Sequence, residues 1–277
     1  MSNPTAAAEY VLGADPVELD RLGLQHRLWA DDAHIAWRSA GITRGSTVLD
    51  VGCGPGFAAV DLAQLVGTAG RVLGVDEASP FIDYTNARAH TGALTQLQAV
   101  LGDVQDLPGV TEPGAFDAAW MRWVLCFVAR PADVLAGIAR ALRPGGRLAI
   151  HDYFNYESMT LAPRGAMKTK IVGAVARSWR DRGGDPDIMS RVPAMLDDAG
   201  MEVVGFRVLQ RAARPGDPMW AWPDTFFRGF VPKLVAGGYL NQQDLDGYLV
   251  EWEAASGNPH SWMHLPTVYE IIAQKRG

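Results

Sequence analysis

Apolar and polar positions along the chain follow two periods. Short apolar runs closed by glycine or a charged residue read as buried strands. Runs with apolar residues three and four apart read as helices. Thr47–Val51 is the first such strand, and a helix is predicted over Phe57–Val66. A second strand falls at Arg71–Asp76. Ser79-Pro80 then opens a helix towards Thr91, with serine as cap and proline in the first turn. Further strands are expected at Gln98–Leu101 and Phe116–Met121. Pro131–Leu142 carries Val134, Leu135, Ile138, Ala141 and Leu142 at helical spacing, Arg143-Pro144-Gly145-Gly146 stops it, and Arg147–Asp152 is a fifth strand. Strands alternating with helices imply right-handed crossovers and a doubly wound, mostly parallel α/β sheet.

The flanks follow the pattern less closely. Upstream, Asp15-Pro16-Val17-Glu18 reads as a helix start, and one helix is predicted through about Ser39, with Leu22, Trp29 and Trp37 among its apolar residues. Downstream, Tyr153–Gly184 has aromatic and helical character but no clear strand. Asp187–Ala199 reads as a helix, Met201–Leu209 as strand six, residues 212–262 as aromatic-rich and mostly helical, and Thr267–Gln274 as a last strand. The expected organisation is an N-terminal helical lid (1–43), a core (44–152), a cap insertion (153–186), a continuation of the core (187–211), an aromatic helical cap insertion (212–265) and a final core strand (266–277). Pro223, Gly229, Pro232, Gly237 and Gly238 offer breaks where cap helices could hinge.

Composition narrows the partners. The 277 residues include 25 basic and 31 acidic ones, a net charge of −6, and 48% are hydrophobic. That balance argues against a dedicated nucleic-acid binder. The two cysteines, Cys53 and Cys126, suggest no disulfide framework and fit a reducing cytoplasm. The start, MSNPTAAAEY, lacks a basic segment followed by an apolar run, so no signal peptide is expected, and no run approaches membrane-spanning length. The expected partners are a hydrophobic small molecule and, at most, a second copy in a homodimer, with no nucleic acid and no membrane.

The chemistry concentrates at Val48-Leu49-Asp50-Val51-Gly52-Cys53-Gly54-Pro55-Gly56. Glycines between a strand and a helix let the chain turn sharply and bring a nucleotide-like ligand against bare backbone. Asp76 ends the second strand, where a carboxylate can accept from both ribose hydroxyls, although a solvated strand-end acid would look the same. Asp103, after the third strand, can accept from an adenine amine, or cap a helix. With Phe116–Met121 and the Leu142–Gly146 turn, these elements occur in the order found in the class I S-adenosylmethionine-dependent methyltransferases, which residues 45–152 resemble. A nicotinamide enzyme fits less well, because the turn is G-C-G-P-G rather than G-x-G-x-x-G.

The resemblance implies a seven-stranded sheet whose last strand, supplied by Thr267–Gln274, runs antiparallel, with S-adenosyl-L-methionine as cofactor and S-adenosyl-L-homocysteine as product. It places Asp50, Gly52, Cys53, Gly54, Gly56, Asp76, Glu77, Asp103, Val104, Met121, Arg122 and, from the N-terminal helix, Gln25 around the cofactor. The tetrapeptide that marks amino-group methylation of bases or glutamine is replaced by Met121-Arg122-Trp123, which makes those substrates unlike this chain's. His151 and His26 are candidate bases and Asp152 an orienting acceptor, against the competing reading of each, taken singly, as an ordinary polar residue on a helix or strand end. Trp123, Tyr153, Tyr156, Trp179 and Trp222 are candidates for the substrate pocket, and cap packing is the competing reading for them. His260 and His264 stand four apart, but no acid or cysteine joins them, so no metal is expected. The resulting expectation is methyl transfer to an O, C or N atom of a hydrophobic specialised metabolite. The alternatives are a methyltransferase of tRNA or protein, or a cofactor-binding protein with a non-methylating step such as cyclisation.

Overall fold

The computed structural model describes residues 16–277, so the Asp15 cap lies outside the described residues. Helices α1 (Pro16–Leu28) and α2 (Ala30–Ser39) precede strand β1 (Thr47–Val51), followed by α3 (Phe57–Val66), β2 (Arg71–Asp76), α4 (Ser79–Thr91), β3 (Leu97–Leu101), β4 (Phe116–Arg122), α5 (Pro131–Ala141) and β5 (Leu142–Tyr153). Beyond them lie β6 (Thr160–Ala162), α6 (Ala166–Arg180), α7 (Val192–Asp198), β7 (Met201–Leu209), β8 (Ala212–Ala213), α8 (Ala221–Ala236), α9 (Gln242–Ser256), β9 (Trp262–His264) and β10 (Val268–Lys275).

Seven strands form one sheet in the order β3-β2-β1-β4-β5-β10-β7, in which the last strand of the chain, β10, runs antiparallel to both neighbours. This is the doubly wound sheet that the sequence predicts. β1 is central, parallel to β2 and β4, and buried on both faces. That explains why its sequence is a continuous apolar run rather than an alternation. Two cores flank the sheet. One joins Leu49, Val51, Val75, Met121 and Ile150 to the cap; the other joins Val48, Val72 and Trp120 to Trp37 of α2 and Leu62 of α3.

Four local expectations are corrected. The single N-terminal helix breaks at Trp29, which has φ −112° and is fully buried. Its indole lies edge-on to Trp123 and Trp222, under the Arg211 guanidinium. Strand five begins at Leu142, which pairs with Phe116; the register then jumps so that Arg147 faces Ala118, and residues 143–146 loop out between. The helix expected over Asp187–Ala199 is a 3₁₀ turn at Ile188–Ser190 and then α7, with proline in the first turn of α7. Finally, α8 runs without a break through Pro223, Gly229 and Pro232 and stops only at Gly237.

Both insertions meet in a second, three-stranded antiparallel sheet, β6-β9-β8. His264 lies on β9 opposite Thr160 and Ala212, so it shares no helix face with His260. Over this sheet α6, α8 and α9 pack as a helical cap. No described helix is long and apolar enough to cross a membrane.

Candidate active site

A cavity of about 520 Å³ opens at the C-terminal ends of β1, β2 and β4, under α1 and the cap. Its floor is the glycine turn. Gly52, Gly54 and Gly56 all have positive φ, at 66°, 53° and 69°. A side chain on Gly52 would strike Val124 and one on Gly56 would strike Thr85, both at 2.4 Å, whereas the space beside Gly54 is open for 4 Å. Packing therefore requires the outer glycines, and Gly54 leaves room for a ligand against the backbone. Gly56 lies behind the turn, outside the cavity lining. Asp76 holds the turn: its carboxylate accepts from Gly54 N at 2.7 Å and from Ala78 N at 3.0 Å, and burial raises its pKa. Glu77 beside it is raised for the same reason, with Asp76 and Asp103 adding to the effect. Asp103 accepts from Gln105 N at 2.8 Å, which starts the 3₁₀ turn Val104–Gly109, and Cys53 and Val104 complete this arm.

Asp50, Arg122 and His26 meet where the cofactor arm joins the rest of the cavity. Asp50 is 2% exposed, one of its oxygens has no partner, and burial pushes its pKa up to about 7 despite Arg122. Arg122 donates from Nη2 to His26 Nδ1 at 3.0 Å, its Nη1 has no partner, and burial brings its pKa down to about 10. A guanidinium can only donate, so Nδ1 of His26 is the acceptor and Nε2 carries the proton, donated to Asp61 of α3 at 2.9 Å. The ring's lone pair is thus in use, and burial lowers its pKa further. An unpaired carboxylate oxygen and an unpaired guanidinium nitrogen suit the ammonium and carboxylate of a zwitterionic ligand.

Besides Gly56, three further candidates lie off the cavity. Met121 is fully buried in the sheet. His151 is fully buried, with Nε2 at 2.8 Å from Glu270, which Arg207 clamps from the other side. Asp152 accepts from the backbone N–H groups of Val124, Cys126 and Tyr153, so it anchors the loop after β4, and burial raises its pKa to about 6. Neither His151 nor Asp152 is placed to take a proton from a bound molecule.

The second arm is aromatic. Trp123 has a left-handed backbone (φ 54°), and its indole stacks on Tyr153 at 5.8 Å and on Trp222 at 5.5 Å. Tyr156 and Phe127 close on Trp179 at 4.8 and 4.7 Å. Gln25 accepts from Trp222 Nε1 and from Arg21 Nη1, which joins α1 to α8. Sequence reading missed Arg21, Gln105, Phe127, Met159 and Arg182, all of which line the cavity. A signal existed for Arg21: it stands four residues before Gln25, on the same face of α1.

The reversed β10 and the ligand-ready turn beneath an acid at the end of β2 define the class I S-adenosylmethionine-dependent methyltransferase fold. Residues 49–150 match the methyltransferase domain family, whose cofactor is S-adenosylmethionine. Among relatives, an uncharacterised transposon protein of Streptomyces fradiae is 40% identical over 117 residues, which is 42% of this chain and 32% of that protein. The chloroplastic 2-phytyl-1,4-beta-naphthoquinone methyltransferase of Arabidopsis thaliana is 32% identical over 156 residues, 55% of this chain and 58% of the relative. The demethylmenaquinone methyltransferase of Oceanobacillus iheyensis is 29% identical over 124 residues, 45% of this chain and 50% of the relative. The chain spans about half the length, or less, of these relatives. Among solved structures, an S-adenosylmethionine-dependent methyltransferase from Aquifex aeolicus superposes with TM-score 0.52 at 25% identity, over 71% of this chain and 92% of its own. The [4+2]-cyclase SpnF superposes with TM-score 0.57 at 19% identity, over 88% and 80%.

Proposed function

We propose that this protein transfers the methyl group of S-adenosylmethionine to an aromatic, quinone-type small molecule. The observation that carries this reading is a single cavity with the glycine turn at one end and an aromatic arm at the other. The names of the Arabidopsis and Oceanobacillus relatives support the quinone class. In this reading Asp76 takes the ribose hydroxyls, Asp103 and Val104 the adenine, Gly54 the close approach, and Asp50 with Arg122 the amino-acid end. Residues 44–152, 187–211 and 266–277 form the core, and 1–43, 153–186 and 212–265 serve as lid and cap.

The cofactor supplies a sulfonium methyl whose thioether leaves without acid assistance. The task left to the chain is alignment and exclusion of water, and good alignment is worth about 7–11 kcal/mol. The lid and cap side chains Gln25 and Trp222, joined at 2.9 Å, close the cavity over the transfer path. The test is calorimetry with S-adenosylmethionine and with NAD, followed by mass spectrometry of a demethylated naphthoquinol incubated with enzyme and cofactor. Failure to bind S-adenosylmethionine overturns the reading. Turnover of the acceptor without release of S-adenosylhomocysteine would instead assign a non-methylating step.

A further inference from the structure

Charge is segregated along the cavity. Among the described residues, the carboxylates lining it are Asp50, Asp76, Glu77 and Asp103, all at the ends of β1, β2 and β3. None belongs to the aromatic arm. That arm holds Arg21 of α1, 8% exposed, with its guanidinium 5.7 Å from the Phe226 ring centroid. Glu18 grips the guanidinium through two contacts of 2.6 and 2.7 Å, and Gln25 through one of 3.1 Å. Arg21 lines the cavity and Glu18 does not, and the Arg21 charge acts on the Tyr153 and Tyr156 phenols, so this ion pair borders the aromatic arm through its arginine.

The other polar groups of the arm are donors or silent. Indole nitrogens donate only, and those of Trp123 and Trp179 are buried with no partner. The Tyr153 and Tyr156 phenols feel Arg21, yet burial raises both pKa values, so they stay protonated. The His26 lone pair is held by Arg122, and His151 and Asp152 lie off the cavity. A neutral acceptor that must lose a proton finds no group there to take it. An acceptor that arrives as an anion finds a buried, oriented guanidinium.

We propose that the aromatic arm binds its methyl acceptor already ionised, as the anion of an acidic enol or hydroxyquinone, with Arg21 holding the anionic oxygen. The inference rests on the methyltransferase reading. The acceptor's electron pair forms the bond to the methyl carbon, and the pair of the breaking carbon–sulfur bond stays on sulfur. The negative charge of the acceptor and the positive charge of the sulfonium cancel, so the transfer yields no proton and needs no base. Arg21 is then a catalytic residue, and it selects acceptors by acidity as well as by shape.

Two probes separate charge from shape: lawsone, a hydroxynaphthoquinone that is an anion at neutral pH, and its uncharged amino analogue. Calorimetry on the full chain, with and without S-adenosylhomocysteine, should show lawsone bound at least about tenfold more tightly than the analogue, the size expected for a hydrogen bond to a charged group. Arg21→Gln should bring the ratio close to one with the analogue's affinity unchanged, and Arg21→Lys should restore part of it. No preference in the wild type, or an equal loss of both probes in Arg21→Gln, overturns the proposal. If S-adenosylmethionine itself fails to bind while the lawsone preference persists, the proposed function falls and the anion site stands.

Discussion

A carboxylate buried as deeply as Asp50, with one oxygen unbonded, costs the fold something that only a ligand returns. Its pKa rises from 3.8 to about 7, so between those values the folded chain keeps a proton that the unfolded chain releases. Stability from this group therefore falls as pH rises through that window, and above about 7 the full cost is present, at most about 4 kcal/mol. Asp50→Asn should raise the melting temperature of the ligand-free protein at pH 8, with the gain vanishing towards pH 4, and should weaken S-adenosylmethionine binding. A variant that melts lower at pH 8 would contradict this account. Asp76 has the opposite character, because backbone N–H groups already use both of its oxygens. Asp76→Ala removes the ligand's acceptor and also releases Gly54. Binding measured by calorimetry should fall by about ten- to a hundredfold, the equivalent of about 1.5–3 kcal/mol; unchanged affinity would take Asp76 out of the ribose role.

Among the described residues, helix α1 is fastened to several elements. His26 bonds to Asp61 of α3 and to Arg122 of β4, and Gln25 to Trp222 of α8. Asp61→Ala leaves the Nε2 proton of His26 without its acceptor. Hydrogen exchange of the α1 amides should speed up by about ten- to a hundredfold, by loss of about 1.5–3 kcal/mol, while β1 and β4 keep their protection; unchanged exchange in α1 would show that the lid is held elsewhere. Elements such as α3 and β2 were legible in the sequence residue for residue, because glycines and a clean apolar run bound them. The break at Trp29 was not, since no proline or glycine stands there and the cause is the packing of Trp123, Trp222 and Arg211 around its indole. Strands β6, β8 and β9, two or three residues long, are too short to display a period. In the site, the turn and its acids follow from local order, whereas the pairing of His151 with Glu270 spans 119 residues and leaves no local mark.

At the scale of the whole molecule, cap and core share one hydrophobic cluster, which runs from Leu49 and Val75 of the sheet to Phe227 and Trp252 of the cap. Cap and core should therefore unfold together, so that a change deep in the cap moves a single global transition. Lys168 offers the test. It is 1% exposed, its Nζ has no hydrogen-bond partner, and the rings of Phe227 and Trp252 lie 3.1 and 4.6 Å away, where α6, α8 and α9 converge. Burial pulls its pKa well below the ordinary 10.5, against the opposing pull of Glu251 and Asp224. The unfolded chain then holds a proton that the folded chain has released. This group's contribution to stability therefore rises with pH between the folded value and 10.5, and below that window the buried charge weighs in full. Replacing such a charge by an apolar side chain of similar length removes that cost, typically about 1–4 kcal/mol. Lys168→Met should raise the single calorimetric midpoint at pH 7, with an advantage that narrows as pH approaches 10.5. A separate low-temperature transition in the variant or the wild type would show that the cap unfolds on its own, and an advantage that grows with pH would show that the ammonium, caged by its rings, stabilises the fold.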